Sequence, residues 1–228
     1  LYGAVVISAG IACASLACGT MPFASALMVL LLSYGFFSSV RQLMNATHTA
    51  LAGVAVCAAV ERVCGVRPGL KWPNDPVLGN KKLCGILTEL SLEGETGRVQ
   101  YLVLGIGVNV LQTAADFSPD VAEMATSLAM ALGRPVSRPA LAAALIEELD
   151  RLYAALKAGE LADYLAAYRR DCVNLGKPVQ LLAPGGRETV TAVGIDEDFG
   201  LVVREADGAE RTVRSGEVSV RGLYGYVE

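Results

Sequence analysis

The chain has 228 residues, with 19 Lys and Arg against 23 Asp and Glu, giving a formal charge of -4. Hydrophobic residues at 53% and charged residues at 18% exclude a disordered chain. The acidic balance excludes a general nucleic-acid groove, which needs clustered Lys and Arg, and the length allows one large domain or one domain with a small appendage.

Every charged residue lies from Arg41 onward; residues 1–40 carry none. Residues 21–40, MPFASALMVLLLSYGFFSSV, have the length and apolarity of a membrane span. Pro22, Gly35 and the polar Ser25, Ser33, Tyr34, Ser38 and Ser39 interrupt it. No basic segment precedes it, as a secretory signal requires, and Arg41 is the one flanking cation. Three readings stay open: a membrane segment, buried elements of a globular core, and a stretch translated from a shifted reading frame. The chain opens on Leu1 rather than Met, so it reads as a fragment.

Residues 49–66 predict a helix, with Leu51, Val54, Ala55, Ala58 and Ala59 on one stripe and Gly65 and Pro68 at its end. Residues 69–72 predict a strand leading into a Pro-Asn-Asp-Pro turn at 73–76. Residues 77–78 and 81–90 predict a hairpin about Gly79-Asn80, and a turn at 94–97 leads to an apolar strand over 99–110. These strands read as an antiparallel meander that needs a helical layer over one face. Ser118-Pro119 opens a helix that Gly133 ends, and Ser137 caps the next. Leu141, Leu145, Leu149, Leu152 and Leu156 give that second helix one apolar face. Gly159 breaks it, and a further amphipathic helix covers 161–172. After residue 174 the pattern becomes five short strands, at 178–182, 188–196, 201–204, 211–214 and 218–221, the number and size of a small β-barrel.

Cysteines stand at 13, 18, 57, 64, 84 and 172, with no C-x-x-C pair, and His48 is the one histidine. That argues against a Cys/His zinc cluster and a Ser-His-Asp triad. Thiols scattered among Ala, Val and Leu read as reduced and buried, as in a cytosolic protein.

Taken singly, the polar residues of 71–90 have plain explanations. Lys81 and Lys82 could be solvated after a hairpin turn, Asp75 could shape a turn before Pro76, Trp72 could be core, and the glycines could mark bulges. Taken together they do not. Lys71-Trp72-Pro73-Asn74-Asp75, then Lys82-Leu83-Cys84-Gly85-Ile86-Leu87-Thr88-Glu89, then Gly105-Ile106-Gly107-Val108-Asn109 resemble, in order and spacing, three blocks of the biotin protein ligase family. Gly194-Ile195-Asp196, Phe199-Gly200 and Ser215-Gly216-Glu217-Val218 resemble its small C-terminal domain.

The resemblance implies an α+β fold: a mixed or antiparallel sheet packed on helices, like the class II aminoacyl-tRNA synthetase catalytic domain, over residues 1–173. An SH3-like β-barrel would follow over 174–228. It implies ATP-dependent joining of biotin to AMP, with Mg²⁺, and transfer of biotin to a lysine of a carboxylase's biotin carboxyl carrier domain in the cytoplasm. No nucleic acid or membrane partner is expected, and a homodimer is open. Lys82 is the expected catalytic cation, since biotin's carboxylate must approach an anionic phosphate. Asp75 is the expected carboxylate near the phosphates or their Mg²⁺. Asn109 and Asn74 would meet the nucleotide, Trp72 would wall the pocket, and Gly85, Gly105 and Gly107 would let a flat ligand lie against the sheet.

One part of the family pattern is missing. A basic loop, Gln-x-x-Gly-Arg-Gly-Arg-x-Gly-Arg, should follow the strand-like Tyr2–Ser8. Instead, residues 9–48 are atypical, through divergence or a pair of compensating frameshifts, and the chain as written is expected to have little or no ligase activity. Pro76 also departs from the usual aliphatic residue. Other activities compatible with the sequence are a ligase that doubles as a transcriptional repressor, a lipoate or other acyl-adenylate ligase, and a non-catalytic membrane-anchored relative.

Overall fold

A computed structural model describes residues 47–92, 99–183, 186–214 and 219–221, with isolated positions at 15, 18, 22, 25 and 28. Apart from those positions, residues 9–46 lie outside the described residues, and with them the readings of segment 21–40 and of the missing basic loop. The chain divides into two compact units, Leu1–Asn45 with Thr88–Val103, and Ala46–Leu87 with Leu104–Glu228. In the first unit, the described residues belong mainly to the outer parts of two paired strands, where Ser91 donates to Gln100 Oε1 across 3.3 Å.

The second unit is built around helix α1, Thr47–Cys64. It ends where predicted, at Gly65 with φ 75, whose N–H donates to Glu61. Burial is wider than the single predicted stripe. Ala50, Leu51, Val54, Ala55 and Cys57 enter one hydrophobic cluster, while Ala52, Val56, Ala59, Val60 and Cys64 enter another. Among the described residues this is the one helix long and apolar enough to cross a membrane, but 67% of that span is buried inside the protein. Its position between two cores accounts for its composition.

Strands β1 (Gly69–Lys71), β2 (Asp75–Leu78) and β3 (Lys81–Lys82) form an antiparallel three-stranded sheet. Strands β4 (Cys84–Leu92) and β5 (Val99–Val108) form a separate two-stranded sheet. The continuous strand predicted over 81–90 is therefore interrupted at Leu83. This fully buried residue donates its N–H to Pro76 and accepts from the N–H of Asn109, each over 2.9 Å, so the chain changes sheets there.

The helix predicted over 118–133 is also interrupted. A short 3₁₀ turn (Ala114–Asp116) precedes α2 (Pro119–Ala122), and α3 (Leu128–Leu132) follows after a gap. In the gap Ala125 bridges to Lys82 in parallel: Lys82 N–H donates to Met124 and Thr126 N–H donates to Lys82. A backbone committed to that bridge cannot complete helical bonds. Ser127, fully buried, starts α3 afresh by accepting from Met130 N–H over 3.1 Å.

Helices α4 (Arg138–Ala158) and α5 (Ala162–Asp171) match their predicted spans closely. Ser137 caps α4, and Gly133 and Gly159 are left-handed at the ends of α3 and α4. Leu141 and Leu152 of the leucine stripe are buried, and Leu145, Leu149 and Leu156 pack against the clusters. The predicted helical layer is thus present: Val56, Val60, Leu141 and Ala144 cover Ile86, Ile106 and Val108 in one cluster.

The five C-terminal strands are present as β6 (Pro178–Ala183), β7 (Gly186–Ile195), β8 (Leu201–Arg204), β9 (Glu210–Val213) and β10 (Ser219–Arg221). Among the described residues they pair antiparallel in the open order β10-β6-β7-β8-β9, with an irregularity between Ala192 and Gly194. Their inner residues Val179, Leu181, Val190, Leu201 and Val203 share a cluster with Leu51, Trp72 and Tyr168.

Candidate active site

The register of the small sheet assembles the site. Lys71 pairs with Asp75 across β1–β2, and Val77 pairs with Lys82 across β2–β3. Residues opposite one another share a face, as do residues two apart. Lys71, Asp75 and Lys82 therefore project from the same side. The β2–β3 turn that sets this register is Gly79-Asn80, with φ 57 and 60, the left-handed pair of a type I′ hairpin.

Lys82 Nζ lies 2.5 Å from Asp75 Oδ1, with the carboxylate side chain mostly buried and the lysine partly open to solvent. The Lys82 backbone is held on two sides, by β2 and by the Ala125 bridge. Lys81 turns away, and its ammonium donates to Ala122 O over 3.2 Å.

Lys82 and Asp75 line a cavity of about 550 Å³ together with Trp72, Asn74, Gly85 and Gly105. Six residues singled out in the sequence, namely Lys82, Asp75, Trp72, Asn74, Gly85 and Gly105, are thus brought to one cavity. Lys71, Pro73, Ile86 and Leu87 complete the lining. Lys71 is the informative addition, because it is a buried lysine. The turn predicted over 73–76 is shorter than expected: Asp75 and Pro76 already belong to β2, and the hairpin register places Lys71 opposite Asp75, a relation the predicted turn did not give.

Asn74 Nδ2 donates to Ile86 O over 3.0 Å, joining the turn to β4. Gly85 and Gly105 have room for a side chain: the nearest atoms to an added Cβ are Lys82 Cε at 3.9 Å and Leu87 Cβ at 3.8 Å. Their lack of one leaves open space over the sheet. Trp72 touches the cavity but is 1% exposed, its indole N–H donating to Phe199 O over 2.9 Å.

Gly107 and Asn109 are outside the lining. Asn109 uses its amide N–H on Thr126 O over 3.1 Å, its backbone N–H on Leu83 and its carbonyl on Leu128 N–H.

Cys84, beside the site, is buried, and burial followed by the Asp75 charge pushes its thiol up to about 12. It is therefore a packing residue rather than a nucleophile. Among the described residues no group of three His, Cys, Asp or Glu could hold a metal ion. Asp75, the one lining carboxylate, is engaged with Lys82. Such a donor set suits a Mg²⁺ ion held mainly by phosphates and water, not a protein cage.

Chemically, two cations and one carboxylate lining a cavity with Gly85 and Gly105 suit a ligand with an anionic group and a flat part.

Residues 175–221 match the family model for the biotin protein ligase C-terminal domain. The chain is 29% identical over 163 residues to a bifunctional ligase/repressor of Bacillus spizizenii, covering 72% of this chain and 50% of that protein. It is 30% identical over 170 residues to a biotin–[acetyl-CoA-carboxylase] ligase of Mycobacterium tuberculosis, covering 73% and 59% respectively. It thus spans about half the length of the first of these relatives. The fold superposes on the biotin protein ligase of Aquifex aeolicus, solved in complex with biotin and ATP, with a TM-score of 0.67 and 26% identity, covering 78% of this chain and 72% of that one.

Proposed function

The chain belongs to the biotin protein ligase family, and we propose that its cavity is where biotin is joined to ATP and from which biotin passes to a lysine of a biotin carboxyl carrier domain. The observation that carries this reading is the Lys82–Asp75 pair, with Lys71 on the same sheet face, in a cavity also lined by Gly85 and Gly105. The Aquifex relative's complex with biotin and ATP supports it.

In the first step a biotin carboxylate oxygen attacks the α-phosphorus of ATP. The bond to the bridging oxygen breaks and pyrophosphate leaves, giving biotinyl-5'-AMP. Two anions must meet, and negative charge gathers on the phosphoryl oxygens. The ammonium of Lys82 offsets both, and Asp75 holds it in place before the ligand arrives. Lys71 adds a second positive charge from the buried side. In the second step the carrier lysine, as its free amine, attacks the acyl carbon. The bond to the phosphate oxygen breaks, AMP leaves, and the amine loses one proton. Mg²⁺, when bound with ATP, would neutralise phosphate charge, and Asp75, the carboxylate lining the cavity, would help to hold it. Asn74 orients the turn beside the nucleotide, and Gly85 and Gly105 leave room for a flat ring.

The arginine-rich loop of the family has no counterpart in the charge-free residues 1–40. The chain as written therefore turns over weakly or not at all, because the adenylate lacks its basic cover. Biotin-dependent exchange of pyrophosphate into ATP tests both parts. The chain as it stands should exchange little, and a version given the family's basic loop in place of residues 9–48 should exchange well. Exchange in the restored version that survives Lys82→Ala would sink the assignment of the site. Full turnover by the unaltered chain would sink the inactivity.

The likeness to the bifunctional ligase/repressor of Bacillus supports a second reading, in which the ligase also represses transcription. A DNA-binding segment encoded upstream in the full gene is the observation that decides it. The domain at 174–228 is proposed as the family's C-terminal module, and the reaction is placed in the cytoplasm.

A further inference from the structure

Three hydrogen bonds, two of them buried and one part-buried, end on the two residues that precede Asn74 and Asp75. Asn174 Oδ1 accepts from the Trp72 backbone N–H over 2.8 Å. The Phe199 carbonyl accepts from the Trp72 indole N–H over 2.9 Å. Tyr168 donates its hydroxyl to Pro73 O over 2.8 Å. Asn174, Phe199 and Tyr168 are 3%, 5% and 0% exposed, and none of them lines the cavity.

Two of the three groups, Tyr168 and Phe199, also brace each other. The Tyr168 and Phe199 rings meet edge to face, with centroids 5.3 Å apart. Phe199 is held at φ 63, a conformation that a bulky L-residue rarely adopts. Such a residue persists only where its surroundings over-determine it. Here Asp196 Oδ1 accepts from the N–H groups of Asp198 and Gly200, and Arg214 pairs with the same carboxylate over 3.0 Å. The left-handed Phe199 is what aims its carbonyl at the indole.

We propose that Tyr168, Asn174 and the Phe199 carbonyl form a buried clamp that sets the conformation of residues 72–75, and so the placement of Asp75 against Lys82. They are positioning residues, behind the site rather than in it. For its ligand-binding consequence alone, the proposal rests on the reading of the cavity as a nucleotide site. If these residues only filled the core, their loss would cost stability and leave the site unchanged.

Trp72 is the chain's only tryptophan, so native-state fluorescence reports on the clamped residue itself. The full chain is compared with Tyr168→Phe, Asn174→Ala and the control Val203→Ala. Val203 is fully buried in the same cluster, and its ladder partners are Ala192 and Arg211, not residues 72–75. All three variants should unfold at lower urea. Only the two clamp variants should shift Trp72 emission and raise its quenching by acrylamide. In a calorimetric titration each should weaken ATP binding by the folded chain about fivefold, the weight of one lost hydrogen bond.

Clamp variants with wild-type emission and quenching overturn the proposal, as does a control that moves both equally. If the unaltered chain binds no ATP, the nucleotide reading fails by itself and the emission still decides the clamp. If Asn174→Ala does not fold, Tyr168→Phe, which deletes a single oxygen, decides alone.

Discussion

Lys82 reaches Asp75 diagonally across a ladder whose direct partner for Lys82 is Val77. The pair is a product of register: a slip of one residue at Gly79-Asn80 would turn Lys82 to the other face of the sheet. The ion pair and the tight turn are therefore one feature.

In a version with the basic loop restored, Lys82→Ala should lower adenylate formation by about 10² to 10³-fold, as loss of a positioned charge donor does. The folded fraction should hold, since the side chain is partly exposed. Biotin-dependent pyrophosphate exchange measures the first and a urea melt the second. A drop below tenfold would remove Lys82 from the reacting centre.

Gly105→Val should block the cavity without unfolding the protein. An added Cβ meets its nearest neighbour, Leu87, at an ordinary 3.8 Å, so stability should change by no more than about 0.5 to 1 kcal/mol. ATP and biotin titrations should show binding lost. Retained affinity would mean that the ligand lies elsewhere.

Asn109→Ala distinguishes two roles. The side chain bonds Thr126 and is outside the cavity, so its loss should cost about 1 kcal/mol of stability and leave ATP affinity of the folded chain unchanged. A fall in affinity at constant folded fraction would return Asn109 to the nucleotide edge, where the sequence resemblance alone places it.

Stability should fall at alkaline pH. Burial raises the Cys84 thiol from 9.0 to about 12 and the Cys172 thiol from 9.0 to about 11, and it raises Cys57 as well. Above pH 9 the unfolded chain releases these protons while the folded chain keeps them. The stability term is thus fully present below pH 9 and is lost as pH rises toward the folded values, at about 1.4 kcal/mol per unit for each thiol. Urea midpoints between pH 8 and pH 11 measure the slope. A flat profile would mean that the thiols are exposed.

Local chemistry made much of this architecture readable in advance. Ser137, Gly133, Gly159 and the Gly79-Asn80 turn each mark an element end by capping or by positive φ, and the structure uses all of them. Leu83 and the break before Ser127 were not readable, because both follow from pairing between distant segments. Neither the change of sheet at Leu83 nor the bridge from Lys82 to Ala125 leaves a mark in hydrophobic period. The site divides along the same line. Lys82, Asp75 and Asn74 could be chosen from adjacent motif residues. Lys71 needed the hairpin register, and the position of Asn109 outside the cavity needed its bond to Thr126.

Helix α1 gives residues to both hydrophobic clusters. Neither cluster can therefore open while the other stays intact, since pulling the helix from one strips it from both. The C-terminal sheet and the lysine-bearing hairpin should lose amide protection against hydrogen exchange together, in a single cooperative event. A truncation that removes the sheet would then cost the hairpin its fold as well as a neighbour.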